Sequence, residues 1–316
     1  MLNIGIKDWI KFNPNVGVEA LHHIGLPGTG KSNMSTGLAQ KCLQKGELLV
    51  MPGDRFCEWR HFPFHPKFPT KIRILVPKEV ELFYYNFKPN SWFHEVDFNE
   101  LNIFDYLNKE HKLLVIYDQH LPLGVRSLLW TRLAEQLLNR DIFLERAIGL
   151  LFHEAGIYFP EFASGDQWRA IKKFSELFVE FRKGLVRTQL VSQLDTEIES
   201  TIRKKCMYAC IRKTRLSRSG GWPKALVKKA PFTSLNEYHW VYGGLYNRNN
   251  TITKFFENKK IFKIIPRLSM NGVPKTGIVR EKVVRQEIIC SRCQYQWTPR
   301  IDKPKKCPKC KSWLEI

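Results

Sequence analysis

Residues 25–32 read Gly25-Leu26-Pro27-Gly28-Thr29-Gly30-Lys31-Ser32 and match the phosphate-binding pattern G-x-x-x-x-G-K-[ST] at every fixed position. Each fixed residue type serves a nucleoside triphosphate such as ATP. Glycines let backbone N–H groups turn inward around the β-phosphate, the lysine ammonium reaches the β- and γ-phosphates, and the serine hydroxyl ligates Mg²⁺. Gly25, Pro27, Gly28, Thr29, Gly30, Lys31, Ser32 and Asn33 are therefore the expected nucleotide-binding residues. The competing reading is a chance glycine-rich turn, and the flanks argue against it. Ala20, Leu21 and Ile24 can form a strand before the loop, and Asn33 to Gln44 a helix after it, with the phosphate on that helix's N-terminus.

A second chemical signal lies near the other end. Cys290-Ser291-Arg292-Cys293 and Cys307-Pro308-Lys309-Cys310 are two C-x-x-C pairs separated by thirteen residues. Each pair can take two adjacent corners of a tetrahedron. Cys290, Cys293, Cys307 and Cys310 together thus complete a four-thiolate zinc site with no open position, a structural ribbon. Disulfides are the alternative and sit badly with an intracellular chain. Cys42, Cys57, Cys206 and Cys210 share no metal spacing and read as buried thiols.

The 316 residues are 43% hydrophobic and 26% charged, enough to build one large α/β domain or two smaller ones. No apolar run approaches the roughly 20 residues of a membrane span. The first residues carry Lys7, Asp8 and Lys11 in place of a signal-peptide core, so the expected location is the cytoplasm. Charge is distributed unevenly. Residues 1–200 hold 24 basic and 24 acidic side chains, and the remainder holds 27 and 6. The whole formal excess of +21 therefore lies in the last third, which points to a polyanion, nucleic acid, as partner of a neutral engine, with a merely soluble basic surface as the alternative. Lys204, Lys205 and the run Arg212-Lys213-Thr214-Arg215-Leu216-Ser217-Arg218 lead into Gly220-Gly221, a stretch that suits a phosphate backbone or an ordinary solvated loop equally.

These residues must be positioned by a regular scaffold. Leu48–Met51, Lys71–Val76, Leu113–Asp118, Ala147–Phe152, Leu185–Gln189 and Met207–Ile211 read as strands, with an edge strand between Glu79 and Phe87. Helical spacing covers Val125–Asn139 and Trp168–Phe181, and Asp195 or Thr196 can cap a helix running to Lys205. Strands alternating with helices predict an α/β fold with a mainly parallel sheet flanked by helices.

A phosphate-binding loop also needs an acid at the end of another core strand. Asp118 and Glu154 both qualify, and the strand before Glu154 is apolar throughout, as a central strand should be. Here Phe152-His153-Glu154-Ala155-Gly156-Ile157-Tyr158-Phe159-Pro160 resembles the second nucleotide motif of the HerA–FtsK superfamily of DNA-pumping ATPases. Arg187-Thr188-Gln189, followed by a loop and Asp195, resembles that family's next strand, and residues 235–245 and 262–266 its closing strands.

That resemblance covers about residues 18–267 and implies a RecA-like P-loop ATPase domain, drawn over 1–270; Asn271-Gly272-Val273-Pro274 reads as a linker, drawn over 271–287, before the zinc ribbon at 288–316. It implies that Lys31 is catalytic, that Glu154 activates water and that Gln189 senses the γ-phosphate. ATP, Mg²⁺ and Zn²⁺ are then the cofactors, and a hexameric ring moving duplex DNA without reading its sequence is the assembly. Arg132, Arg140 and Arg146 lie where an arginine finger supplied to a neighbouring subunit would be sought. One departure stands out: the family has Asp where this chain has His153. A neutral imidazole cannot replace a carboxylate toward hydrated Mg²⁺, so either another acid serves or hydrolysis is weak. The alternative function is a zinc-ribbon nucleic-acid-binding protein that uses ATP as a conformational switch. A small-molecule P-loop kinase is a third reading, for which so basic a tail has no use.

Overall fold

The computed structural model describes residues 20–53, 58–65, 68–78, 81–83, 92–140, 147–181, 183–206, 208–212, 214, 239–244, 261–263, 280–282, 288–297 and 306–311. Its framework is a ten-stranded sheet. Eight strands run parallel: β9 (Tyr208–Ile211), β1 (Ala20–Ile24), β8 (Val186–Ser192), β7 (Ile148–Phe152), β2 (Leu48–Pro52), β6 (Leu113–Ile116), β3 (Ile72–Pro77) and β5 (Phe93–Val96), in that spatial order. Beyond β9, β10 (His239–Gly244) and β11 (Ile261–Lys263) add antiparallel strands. The parallel α/β prediction is borne out.

Both faces of the sheet are apolar, because both are covered. Residues alternate between the two sides along a strand. Val50, Leu114, Ile116 and Leu150 join the core beneath α2 (Leu123–Leu138) and α4 (Gly165–Glu180). Leu49, Met51, Leu113 and Val115 join the opposite core with Ala39 and Leu43 of α1 (Lys31–Gln44) and the buried Trp59 and Phe62. α4 carries the predicted stripe of Ile171, Phe174 and Phe178 into the core, whereas Trp168 at its start is 51% exposed. Phe152, the last residue of β7, is gripped by Trp130 and Phe159 with ring centroids 4.8 and 5.0 Å away, and Phe159 stacks on Phe174 at 4.2 Å. This aromatic cluster fixes the end of β7 and hence the two residues that follow it.

Four local expectations are corrected. The main sheet is edged by β5 and β11; β4 (Glu81–Phe83), expected as an edge strand, instead pairs with β12 (Arg280–Lys282). Part of the expected linker is therefore strand. The helix after β8 is α5 (Ser200–Lys205), capped by Glu199, whose side chain accepts from Ile202 N, and not by Asp195 or Thr196. Finally, β8 does not end at Gln189 but runs three residues further, to Ser192. Two short strands, β13 (Ile288–Ile289) and β14 (Gln296–Trp297), pair beside the first cysteine knuckle. No helix among the described residues is long and apolar enough to cross a membrane.

Candidate functional site

β1 lies between β8 and β9, and its C-terminal end feeds the glycine-rich loop into α1. Gly28 and Gly30 have φ of +76° and +78°, the left-handed region where a side chain is strained, so these two positions need glycine. Thr29 closes the turn, its N and Oγ1 both donating to Leu26 O at 3.4 and 2.7 Å. Lys31 Nζ donates to Leu26 O at 3.0 Å, folding the ammonium over the loop that it would share with a phosphate. Burial, above all, lowers the Lys31 pKa; Arg212 acts in the same direction, while Glu197 and Glu154 oppose it.

The loop opens into a cleft of about 1090 Å³, ample for a nucleoside triphosphate. It lies where an open parallel sheet places ligands, beyond the carboxyl ends of its strands. Pro27, Gly28, Lys31 and Ser32 line one side, and His153, Glu154, Ser192, Gln193 and Glu197 line it from the ends of β7 and β8. Gly53 after β2 and Gln119 after β6 extend the floor, Gln119 Nε2 donating to Gly53 O at 2.8 Å. Thr29 is buried under the loop, and Asn33 falls in the first turn of α1.

Of the two acids considered, Glu154 is in the cleft and Asp118 is not. Glu154 is exposed and precedes the single-turn α3 (Ala155–Tyr158). Asp118 is fully buried, receives Trp130 Nε1 at 2.6 Å and Tyr158 OH at 3.3 Å, and has Arg126 Nε 4.0 Å away. Burial pushes its carboxyl up to about 6 despite those partners. It is a structural acid. His153 Nε2 lies 3.5 Å from Thr36 Oγ1 on the second turn of α1, beside the loop helix.

Gln189 is brought to neither phosphate nor cleft. It is 3% exposed in mid-strand, and its Oε1 accepts from His23 Nε2 at 3.0 Å. Because β8 runs on, Ser192-Gln193 occupies the strand end expected for Thr188-Gln189, and Gln193 faces the cleft. The sequence carries the signal, a hydroxyl residue and Gln two residues before Asp195. It is hidden by polar residues in the middle of an otherwise apolar strand. Next to it, Ser192 Oγ donates to Leu194 O at 2.8 Å, so it must accept from His22 Nε2, 2.7 Å away. Burial lowers His22 and His23, both sealed inside β1, to about 3, which favours the neutral imidazole in each.

Arg212, which the sequence groups with the basic loop, is 1% exposed. Its N donates to Ile24 O at 2.8 Å, extending the β9–β1 pairing, and its guanidinium donates to Thr29 O and lies against Met34 Sδ. A side chain on Gly25 would collide with the Arg212 Cβ, 2.7 Å from the added carbon. Arg212 is a brace under the phosphate loop. Desolvation lowers its pKa to about 10, still charged at neutral pH. Among the expected finger candidates, Arg140 is buried and donates to Gly184 O at 2.6 Å at the opposite end of β8, and Arg132 donates to Asn99 O. Arg146 and the Gly220-Gly221 loop lie outside the described residues.

The four cysteines come together separately. Their sulfurs lie within 4.8 Å of one another, with Cys290–Cys310 at 3.6 Å and Cys293–Cys307 at 3.7 Å. Four thiolates about 2.3 Å from one tetrahedral zinc sit roughly 3.8 Å apart, whereas a disulfide needs about 2.05 Å. Both knuckles turn alike: Gln294 N donates to Cys290 O and Lys311 N to Cys307 O, each at positive φ. The residues fit zinc.

No family model and no curated protein matches this chain. Solved structures do. The bacterial conjugative coupling protein TrwB, in its unbound form lacking 70 N-terminal residues, matches with a TM-score of 0.52 at 12% identity over 83% of this chain and 89% of that one. The plasmid coupling protein TrwB bound to the non-hydrolysable ATP analogue ADPNP gives 0.51, at 12% identity over 84% and 89%. The fold is that of a RecA-like P-loop NTPase. The RecA-like expectation is thus borne out for the fold. The genome-packaging NTPase B204 of Sulfolobus turreted icosahedral virus 2, bound to ATP-gammaS, overlaps with a TM-score of 0.48 at 13% identity, over 81% of this chain and all of that one.

Proposed function

We propose that this chain is an ATP-driven DNA translocase of the HerA–FtsK type, acting as a homo-oligomeric, hexameric ring. The observation that carries the reading is the meeting of Lys31 and Ser32 with Glu154 at one cleft on the carboxyl edge of a parallel sheet. The likeness in fold to a coupling protein solved with an ATP analogue supports it, as does the charge excess after residue 200.

The site's own residues supply the chemistry. Lys31 exchanges its bond to Leu26 O for the phosphate oxygens, an exchange that neutralises charge developing on the β- and γ-phosphates. Glu154 takes a proton from the attacking water as its oxygen bonds to the γ-phosphorus, and ADP leaves. Gln193, at the strand end, is the γ-phosphate sensor in place of Gln189. Mg²⁺, when bound with the nucleotide, neutralises phosphate charge, and the Ser32 hydroxyl with the cleft carboxylates supplies the hard oxygen donors it takes. Cys290, Cys293, Cys307 and Cys310 would hold a zinc that ties the ribbon together, and Arg292, Lys306 and Lys311 would supply charge for duplex DNA.

His153 favours a second reading, in which ATP binds as a conformational ligand of a nucleic-acid-binding protein and turns over poorly. Steady-state ATPase with saturating duplex DNA separates the two. The motor requires DNA-stimulated turnover in the wild type, loss of nucleotide binding in Lys31→Ala, and retained binding without turnover in Glu154→Gln. Wild-type turnover no faster than that of Glu154→Gln removes the motor and leaves the switch.

A further inference from the structure

The carboxylate that His153 does not provide has a candidate elsewhere in the cleft. Glu154, Glu161 and Glu197 are the acids that line it. Glu161 is drawn away by Arg203, whose NH2 lies 3.9 Å from its Oε1. Glu154 is needed toward the attacking water. Glu197 remains, on the loop between β8 and α5, and three features hold it in place. Its Oε2 accepts from Gln193 N at 2.8 Å, its own N donates to Leu194 O at 3.4 Å, and its O accepts from Glu161 N at 3.1 Å. Opposite it stands Gly156: a Cβ there would lie 3.1 Å from the Glu197 Cβ and 3.6 Å from Oε2, so the bare glycine leaves room for the acid.

Resting on the nucleotide-site reading above, we propose that Glu197 is the acid that holds the hydrated face of Mg²⁺ in this chain, taking the part that His153 cannot. The oxygen chemistry suits the ion, which keeps several waters and binds through one or two carboxylates plus substrate phosphates. The electrostatics agree in direction: toward Lys31, the residue that meets the β- and γ-phosphates, Glu197 acts more strongly than Glu154. The same carboxylate ties Gln193 to the metal side of the cleft, so the γ-phosphate sensor and the acid move as one unit.

The test reads binding, not turnover. A fluorescent non-hydrolysable ATP analogue is titrated into the full chain with Mg²⁺ and, separately, with EDTA, and the ratio of the two affinities is taken. Glu197→Gln keeps an oxygen for Gln193 N but removes the charge. Free nucleotide should then bind no worse, having lost a repelling carboxylate, while the Mg²⁺ complex weakens, so the ratio falls about tenfold or more. Adding His153→Asp to Glu197→Gln restores it. Gly156→Ala, which crowds Glu197 without removing a polar group, lowers the ratio in the same direction and serves if Glu197→Gln does not fold. An unchanged ratio, or affinities that fall together with and without Mg²⁺, overturns the role of Glu197 while leaving the nucleotide site intact. No binding by the wild type under either condition overturns the nucleotide reading, and the proposal with it.

Discussion

Two histidines inside the central strand give the fold an acid sensitivity that can be worked out in sign and size. His22 and His23 are buried and lowered to about 3. Below about pH 6.5 the unfolded chain protonates both, and the folded chain does not. Their contribution is present above that pH and is lost as pH falls toward 3. Each differentially bound proton is worth about 1.4 kcal/mol per pH unit, so the pair gives a slope of about 2.7 kcal/mol per unit. Asp118 opposes them. Raised from 3.8 to about 6, it keeps its proton in the folded state where the unfolded chain has lost it, so it adds stability as pH falls through that window, at about 1.4 kcal/mol per unit. For these three groups the net between about pH 6 and pH 4 is a loss of about 3 kcal/mol, a sizeable share of an ordinary domain stability of roughly 5–15 kcal/mol. Urea unfolding followed by tryptophan fluorescence at about pH 4, 5 and 6 measures the slope, since Trp59 and Trp130 are buried reporters. His22→Gln retains a donor for Ser192 but cannot titrate, and should lower the slope by about 1.4 kcal/mol per pH unit. Asp118→Asn should steepen it by about the same amount. A wild-type slope in His22→Gln, or a shallower one in Asp118→Asn, refutes this account.

Other expectations follow from single contacts. Arg212→Ala removes the brace beneath Thr29 O, and nucleotide affinity should drop by about tenfold or more, as suits a lost charged hydrogen bond of roughly 1.5–3 kcal/mol. Calorimetric titration with ATP would show it, and unchanged affinity would demote Arg212 to packing. Glu47→Ala removes the carboxylate paired with the Arg187 guanidinium at 2.7 Å, in a side chain only 1% exposed, and should cost about 3–5 kcal/mol in urea unfolding. Elemental analysis should find one zinc per chain, and Cys290→Ser should lower that content; a zinc-free wild type refutes the assignment. DNA affinity should fall linearly with log salt and be insensitive to sequence, and a chain ending near Asn271 should lose affinity while still binding nucleotide.

Much of this is legible in the sequence because the signals are local. The glycine-rich loop, the apolar β7 ending before Glu154 and the paired cysteine knuckles each declare themselves within a few residues, and the structure puts Lys31, Ser32 and Glu154 at one cleft. What stays hidden is long-range. β8 contains Arg187, Thr188 and Gln189, which look like a strand end. They are tolerated in mid-strand because Glu47 lies 2.7 Å from Arg187 and His23 lies 3.0 Å from Gln189, partners 140 and 166 residues distant in the chain. No window around Gln189 contains that information, so the expected strand end falls three residues early. Arg212 is concealed for the same reason: beside Lys213 and Arg215 it looks like a surface charge, and only the β9–β1 pairing folds it under the phosphate loop.

The same relation bears on how the site would respond to nucleotide. β1 delivers the glycine-rich loop, and β8, its neighbour, delivers Gln193 and Glu197. The two strands are joined across their shared edge by His22 to Ser192 on one face and His23 to Gln189 on the other. Both bonds use a neutral imidazole donor in a dry interior, where leaving it unpaired is costly. A shift of β1 relative to β8 would strain both bonds. The buried histidines thus tie the strand that delivers the loop to the strand that leads into Gln193. His23→Phe, which fills the space but deletes the donor, should leave the Lys31 contacts with nucleotide intact and weaken discrimination between ATP and ADP. Equal loss of affinity for both nucleotides would show that His23 serves folding alone.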